Sequence, residues 1–521
     1  RGYLRPTSTG PMPFYQTVRN QSFAAISTVY AAYTLKDELL EYQRNFFANS
    51  AKEAAKDPVK GYVFNSRGRK AIEYYFLKNM QHHGIEVHRL NKNVTLEGKT
   101  FQSNDSYIIP MNQRFYTKIK SMWENMTEFQ DSLFYDISTW TFPHAFNLQY
   151  AEAGTTSGLL GEKVHEPIFQ KGGIIGGKAT YAYVFENKEL FSHNLIADLL
   201  RKGIYVRISK RPFSFNGNEN TQSFGYGTAI VQLQNQPVNA DELYQTIQES
   251  AERNGIEVHA FHTGLMDDLD FGTPNNKLIQ LPKVAMLVGR GMSASDCGEI
   301  WHMLDRRFGI PPALIEFSTL HSRDLSNYNV IILANGSPTD QLSPSALPKL
   351  KEWVEKGGTL IATGRAYQLT NKAKITDFKP LSNEKKDEPK NNSEVEYKPY
   401  HSTEKASAGI DGVIFNCMLD ITSPLGYGYT NPNVAIMKNG TMVMDFTQIK
   451  GSSPMQYAKQ PYLSGCVSKE NINRIANAPA AIVSNSGRGK VIWFADDLNY
   501  RSYWFGGTKI FMNAVYFGQI Y

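Results

Sequence analysis

Apolar residues in this chain come in short runs separated by amphipathic stretches, and the alternation is clearest after Lys283. Val284-Ala285-Met286-Leu287-Val288 is an unbroken apolar run closed by Gly289. A run this short, ended by glycine, predicts a strand buried on both faces. Residues 289–294, Gly-Arg-Gly-Met-Ser-Ala, then turn the chain. Ser293 or Ser295 is placed to cap the next helix, with Asp296 and Glu299 in its first turn, where acids complement the helix dipole. Ile300, Trp301 and Leu304 mark its apolar side out to about Phe308. Gly309 ends it and Pro311-Pro312 block its continuation. A second strand over 313–317 completes a β-α-β opening. Further apolar runs at 330–333, 359–362 and 490–495, a helix over 347–356 and a closing helix over 507–517 continue the pattern. This predicts an α/β fold whose last domain is a doubly wound parallel sheet, flavodoxin-like or amidotransferase-like. Its strands lie near Val284, Leu314, Ile331, Leu360 and Ile492. Residues 410–470 read as a β-rich insertion, and 379–405, rich in Lys, Glu, Asn and Pro, as a polar surface excursion.

Upstream, one β-α-β plan occurs twice. A strand at 61–64, a helix over 70–81 and a strand after Gly84 correspond to a strand at 182–185, a helix over 190–201 and a strand after Gly203. Extended segments 106–113 and 227–236 both end in Asn-Gln. Either a module has been duplicated, or both copies show the glycine-ended helix and apolar strand common to any such unit. Residues 1–15, with three prolines, read as loop. A long helical pattern then runs from about Val18 to Glu53, with Phe23, Ile26, Tyr30, Tyr33, Leu40 and Phe47 near one side. The chain offers nothing ahead of this helix to cover it. Phe23, Tyr30, Tyr33 and Phe47 are therefore expected to be partly exposed, or covered by another body, as an interface. The division is 1–56 (loop and long helix), 57–150 (first α/β module), 151–282 (second module and linker) and 283–521 (last domain).

A length of 521 residues exceeds one core and implies several domains. The net charge of +6, with Lys and Arg scattered, gives no reason to expect nucleic acid. No stretch approaches the roughly 18 apolar residues of a membrane span, so no transmembrane segment is expected. Arg1 is not a natural translation start, so the lack of a signal peptide says nothing about compartment. Cys297, Cys417 and Cys466 form no Cys-x-x-Cys. One disulfide with a spare thiol, or three buried thiols, both fit.

Candidate chemistry is sparse. Gly289-x-Gly291-x-x-Ala294, with Glu316 after the next strand, imitates a dinucleotide fingerprint, but Glu316 lies 25 residues past Gly291, where that fingerprint places its acid about 20 on. Such turns also occur in sheets that bind nothing. Thr363-Gly364-Arg365-Ala366 follows a strand where amidotransferase-like folds carry a nucleophile on a sharp elbow. An active elbow needs Cys or Ser and an activating His; this one offers Thr and Gly, and no His follows His401. His401-x-x-Glu404 imitates a zinc pair, but zinc needs a third protein ligand, and none follows. His82, His83, His259 and His262 form no ligand set. Asp496, Asp497, Arg501, Tyr503 and Trp504 cluster after the last strand, in the position where such sheets bind ligands. The plainer alternative is that Asp497 and Asn499 shape a turn and the aromatics pack.

Four stretches carry a family resemblance: Val18-Arg19-Asn20-Gln21, Tyr183-Val184-Phe185, Asp296-x-Gly298-Glu299-Ile300-Trp301-His302-x-Leu304-Asp305 and Arg501-x-Tyr503-Trp504. With them the chain resembles the C-terminal two-thirds of large bacterial zinc carboxypeptidase-like proteins of the carboxypeptidase A type. In that family a zinc domain comes first and an amidotransferase-like domain last, and a general-base Glu lies shortly before an Arg-Gly similar to Arg1-Gly2. The resemblance implies that 1–56 is the remnant of a preceding catalytic domain. The chain itself would be a non-catalytic part supporting peptide hydrolysis, with no cofactor of its own and zinc only in the parent. Its expected partners are the N-terminal catalytic domain or another envelope protein, with peptide substrate reached through the parent. The implied location is periplasmic, outer-membrane-associated or extracellular. The alternative is a scaffold subunit of a bacterial envelope assembly with inactive peptidase ancestry. No zinc ligand or general base of the family maps onto this sequence.

Overall fold

The computed structural model describes residues 4–7, 10–129, 137–216, 221–265, 270–336, 343, 345–381, 409–445 and 451–521. The His401 and Glu404 pair and most of the polar excursion lie outside these residues. The first proline-rich segment forms a hairpin, β1 (Leu4–Thr7) with β2 (Gly10–Pro13), rather than the expected loop. The long helical pattern is two helices, α1 (Phe14–Thr34) and α2 (Lys36–Lys56), joined at Leu35. Leu35 bends to φ −95° and ψ 14°, yet its N–H still donates to Ala31 and its carbonyl accepts from Leu39, so the hydrogen-bond ladder passes through.

The first sheet contains β3 (Gly61–Asn65), β4 (His88–Leu90), β7 (Ser106–Pro110), β8 (Gln149–Ala153) and β9 (Leu160–Lys163). A ribbon of β5 (Val94–Leu96) and β6 (Lys99–Phe101) stands beside it. Helix α3 (Lys70–His82) joins β3 to β4; α4 (Tyr116–Trp123) and α5 (Phe142–Ala145) join β7 to β8. The strand order is β8-β3-β7-β4-β9, every neighbour antiparallel. The two strands around α3 are thus parallel to each other but separated by β7, a split βαβ arrangement.

The second sheet holds β10 (Gly173–Ile175), β11 (Ala182–Phe185), β12 (Arg207–Ser209), β15 (Ala229–Gln232), β16 (Glu257–Phe261) and β17 (Asn276–Leu278). The ribbon β13 (Phe213–Asn216) with β14 (Thr221–Phe224) and helices α6 (Ser192–Arg201) and α7 (Ala240–Asn254) complete the unit. Its inner order, β16-β11-β15-β12, repeats β8-β3-β7-β4 strand for strand.

The repeat extends to side chains. Gln113 accepts from Glu86 N–H at 2.7 Å and donates to the Glu86 and Pro110 carbonyls. Gln236 accepts from Tyr205 N–H at 2.8 Å and donates to the Tyr205 and Gln232 carbonyls. The same amide thus brackets the same backbone in both modules, which is why both segments end in Asn-Gln. The shared Gly-Ile is less specific. Gly84, Gly203 and Gly255 take φ +68°, +77° and +69°. The following Ile85, Ile204 and Ile256 each donate back to Met80, Leu199 and Ala251 at 3.0 Å. This is the left-handed helix stop that any helix of this kind uses.

The third sheet contains β18 (Val284–Val288), β19 (Ala313–Glu316), β20 (Val330–Leu333), β21 (Thr359–Thr363), β23 (Val413–Leu419), β24 (Asn433–Lys438), β26 (Ser452–Ser464), β27 (Pro479–Ser486) and β28 (Gly489–Phe494). Its order is β19-β18-β20-β21-β28-β27-β26-β23-β24. The five expected strands lie side by side and parallel; the four others continue the same sheet antiparallel. Residues 410–470 therefore widen this sheet. Beside it, β22 (Lys379–Pro380) pairs with β25 (Met444–Asp445).

Side chains alternate across the parallel strands. Met286, Ile332, Ile361 and Ile492 enter one core, and Leu287, Leu333, Leu360 and Trp493 the other. Burial on both faces explains why these strands read as unbroken apolar runs. Helices α8 (Ala294–His302), continued by a π-turn over 303–307, α9 (Ala346–Glu355), α10 (Tyr367–Lys372), α11 (Lys469–Ile475) and α12 (Thr508–Phe517) cover the sheet. In α8 the buried stripe is Cys297, Ile300, Met303 and Leu304, whereas Trp301 is 39% exposed. One residue turns about 100° around a helix, which carries Trp301 off the face the sequence suggested. Cys297 and Cys417 are buried free thiols, and Cys466 is half-buried. Among the described residues no helix is long and apolar enough to cross a membrane.

No residue of α1 is buried, and α2 buries only Ser50 and Ala54. Phe47 is half-buried, edge-on to Phe115 at 5.9 Å, with the Arg114 guanidinium 4.4 Å over its ring. Tyr33→Ser is accordingly expected to change the stability of the isolated chain by less than about 0.5 kcal/mol. Phe47→Ser is expected to cost roughly 1–2 kcal/mol, from the lost ring pair and cation–π contact. Urea denaturation of the two variants separates them.

Candidate functional site

The parallel strands β18, β20, β21 and β28 end at a common edge, and the chain leaves each of them around an open cleft of about 800 Å³. Crevices of this kind form where helices on opposite faces diverge from the strand ends. One wall is α8, with Asp296 and Glu299; the others are the elbow after β21, the turn after β24, and residues 495–501 after β28.

Asp496 lies at the base of the cleft in a buried triad. Lys438 Nζ donates to Asp496 Oδ1 at 3.1 Å, to Tyr457 Oη at 3.1 Å and to the Met442 carbonyl at 3.0 Å. The Tyr457 hydroxyl donates to Asp496 Oδ2. Burial, together with the Asp496 charge, holds the Tyr457 hydroxyl far above its usual range, so it stays a donor. A buried ion pair is tolerable only when its remaining donors and acceptors are met, and here the tyrosine and a carbonyl meet them.

Asp497 sits beside Glu299, and one carboxyl hydrogen-bonds the other. Burial first, then this neighbouring acid, pushes the Asp497 carboxyl well above the ordinary range. Two carboxyls so close cannot both ionise cheaply, and the raised Asp497 carboxyl carries that cost. Asp497 Oδ1 also accepts from Asn499 N–H at 2.9 Å and opens a tight turn. In that turn Arg501 and Ser502 both take left-handed conformations, φ +47° and +56°, which non-glycine residues adopt at a cost. Arg307 pins the turn by donating to Asn499 Oδ1 at 3.2 Å and to the Ser502 carbonyl at 2.6 Å. The Arg501 guanidinium stands at the rim over Trp140 and Tyr500.

The elbow after β21 is present in geometry and lacks a reactive atom. Gly364 has φ +51°, and a Cβ built there would approach Asn335 Oδ1 to 2.6 Å. Asn335 Oδ1 instead accepts from Arg365 N–H at 3.0 Å. Among the described lining residues there is no histidine or cysteine. The glycine turn after β18 is used internally: Met292 bridges to Gly336, Ser293 N–H donates to the Asn335 carbonyl, and Ser293 caps α8 through Asp296 N–H. No group of three or more His, Cys, Asp or Glu side chains among the described residues is placed to hold a metal. The arrangement suits binding of a polar ligand between an acidic floor and a cationic rim of Arg365 and Arg501.

Of the five binding candidates, the structure brings Asp496, Asp497 and Arg501 to this cleft. Tyr503 faces a neighbouring hollow beside Phe142, Arg307 and Phe505. Trp504 is fully buried, its indole N–H donating to the Ala435 carbonyl at 3.0 Å. Lys438 and Tyr457 gave no sequence signal, because a lysine ending one strand and a tyrosine within another meet Asp496 only once the sheet is assembled. Of the four interface candidates, Phe23, Tyr30 and Tyr33 are 64%, 70% and 81% exposed on α1, while Phe47 is the half-covered ring on α2.

No protein-family model matches this chain. No curated protein matches it in sequence. Solved structures similar to it include PurLQS from Thermotoga maritima, at 15% identity over 45% of this chain and 97% of that chain, TM-score 0.30. A ThuA-like protein from Bacteroides uniformis aligns at 11% identity over 44% of this chain and 88% of its own, TM-score 0.29. A GMP synthase component from Thermoplasma acidophilum aligns at 9% identity over 45% of this chain and 92% of its own, TM-score 0.28.

Because the folded pKa of Asp497 lies above its unfolded value of 3.8, the folded state holds more protons over that interval. The stability this contributes is present at low pH and is lost as pH rises toward the raised pKa. Asp497→Asn keeps the acceptor for Asn499 N–H and a donor for Glu299, and does not titrate. Its stability relative to wild type is expected to grow from pH 4 upward, by at most about 1.4 kcal/mol per pH unit. Urea denaturation from pH 4 to 8 measures this, and a difference independent of pH contradicts the raised pKa of Asp497.

Proposed function

We propose that this chain is a non-catalytic support for peptide hydrolysis by a zinc carboxypeptidase-type domain, and that its last domain is an amidotransferase-like scaffold without amidotransferase chemistry. The observation that carries this reading is Gly364. The elbow keeps the left-handed backbone that presents a nucleophile in such folds, yet its residue has no side chain to react. The sequence resemblance to the C-terminal part of carboxypeptidase-like proteins supplies the link to peptide hydrolysis. The uncovered aromatic face of α1 supports a docking role, since a contiguous exposed apolar face marks an interaction surface. Zinc, in this reading, is held by the catalytic domain, where it polarises the peptide carbonyl and activates water.

A second reading, a scaffold subunit of an envelope assembly with inactive peptidase ancestry, draws on the same α1 face and needs no peptidase. Residues encoded upstream of Arg1 distinguish the two: a His-x-x-Glu with a later His and a Glu favours the first, and their absence the second. The purified chain is expected to retain far less than one zinc per molecule after dialysis and to release no C-terminal residue from model peptides. Stoichiometric zinc by elemental analysis together with hydrolysis overturns the proposal.

A further inference from the structure

The two modules meet the last domain at a small cavity that the cleft chemistry does not use. It is lined by Arg67 and Arg69 from the loop after β3, Lys188 from the loop after β11, and Lys509 from α12, with Tyr429 and Phe505 as aromatic walls. Arg67 and Lys188 are equivalent positions: each is the third residue after a Tyr-Val-Phe, 62–64 in one module and 183–185 in the other. The duplicated plan thus carries a cation from each copy to one point. Their proximity is close, for a Cβ on Gly68 would lie 3.3 Å from Lys188 Nζ.

The positive charge is only partly answered by the protein: Glu189 bears on Arg69 and Lys509, and burial lowers the Lys509 ammonium to about 7. Among the described residues none of these four cations is in a salt bridge. Arg67 Nε and Nη1 are buried without a hydrogen-bond partner among the described residues. Arg69 spends its donors on the Ser66, Phe146 and Asn147 carbonyls, and Lys509 on Asn187 Oδ1 and the Glu189 carbonyl. The nearby acid, Glu189, is already committed, its carboxylate accepting from Lys70 and Ala71 N–H at the start of α3. Arg67 is held at the cavity by a left-handed backbone, φ +57°, with its N–H donating to Asn65 Oδ1 at 3.1 Å. Buried guanidinium donors left open are costly, and a planar fork of donors matches an oxyanion. The cavity itself measures about 20 Å³, on the scale of one or two water positions. That admits one or two oxygen atoms of an anion and leaves the rest of it at the mouth.

We propose that this junction binds a single small oxyanion, the carboxylate or phosphate group of a ligand, gripped by Arg67 and Lys188. Occupancy joins the two modules and the last domain through one shared counter-charge.

Isothermal titration of the full chain with inorganic phosphate, and separately with acetate, at fixed ionic strength in chloride tests this. Saturable binding at one site by either anion is expected, and the one that binds tells phosphate from carboxylate recognition. Arg67→Gln and Lys188→Gln are each expected to weaken it by about tenfold or more, the loss of one charge-assisted contact, while Lys351→Gln on α9 leaves it unchanged. Should Arg67→Gln fail to fold, Lys188→Gln, whose side chain is only half-buried, carries the comparison. Failure of both anions to saturate, or binding that survives both substitutions, overturns the proposal.

Discussion

The polar node around Asn513 is the constraint on which the arrangement of this protein depends. Helix α12 buries all ten of its residues, Lys509 and Asn513 included. A polar group at such depth must be fully paired. Asn513 achieves this with four bonds: its Oδ1 accepts from Asn187 Nδ2 at 3.1 Å and His193 Nε2 at 2.9 Å, and its Nδ2 donates to the Leu425 and Tyr427 carbonyls. Burial holds His193 neutral, far below the usual histidine range, so one ring nitrogen is free to act as the donor. Asn187 and His193 belong to the second module, Leu425 and Tyr427 to the turn that joins β23 to β24 in the last domain. Asn513, with Lys509 one turn before it bonded to Asn187 and the Glu189 carbonyl, thus ties the split βαβ module to the doubly wound domain.

The first module is seated differently, by aromatic packing and backbone seams. Phe146 stacks on Phe505 at 4.8 Å and Tyr75 on the same ring at 5.4 Å. Met126 N–H donates to Ser464 Oγ, and Ser138 Oγ to the Gly412 carbonyl. The three units share one continuous core. The cleft at the strand ends and the cationic cavity at the junction are consequences of this assembly, one formed by divergence of the covering helices and the other where like-charged loops converge. The elbow at Gly364 carries no side chain, and the aromatic residues of α1 stay uncovered by the rest of the chain.

Much of this was legible in the sequence wherever burial acts on consecutive residues. Strands β18, β20, β21 and β28 are apolar on both faces and announce themselves, and the glycine helix stops mark where α3, α6 and α7 end. The split topology was not legible, because a strand-helix-strand pattern does not say whether a later strand inserts between the two. Strand β27, with its small Ala480 and Ala481 and polar Ser484 and Asn485, lacks the apolar signal that pairing against β26 and β28 makes unnecessary. Trp504 resembled a binding residue only because an aromatic after a strand looks the same in a cleft as in a core. Lys509 and Asn513 carry no sequence signal of burial, and only the folded neighbours reveal them as buried positions of α12. The paired cations Arg67 and Lys188 could have been found by aligning the two copies on their shared Tyr-Val-Phe.

The claim that one buried amide joins the second module to the last domain is open to direct measurement by native-state hydrogen exchange on wild type and Asn513→Leu. Leucine is close in volume but leaves His193 Nε2 and the Leu425 carbonyl unpaired and reduces Asn187 Nδ2 and the Tyr427 carbonyl to the 3.4 Å bond between them, a loss of about 3 kcal/mol. If the node couples the units, the protection of β11 and β15 in the second module and of β20 and β21 in the last sheet falls together and by the same amount. A loss confined to α12 and its immediate contacts, with β11 and β15 as protected as before, contradicts the account.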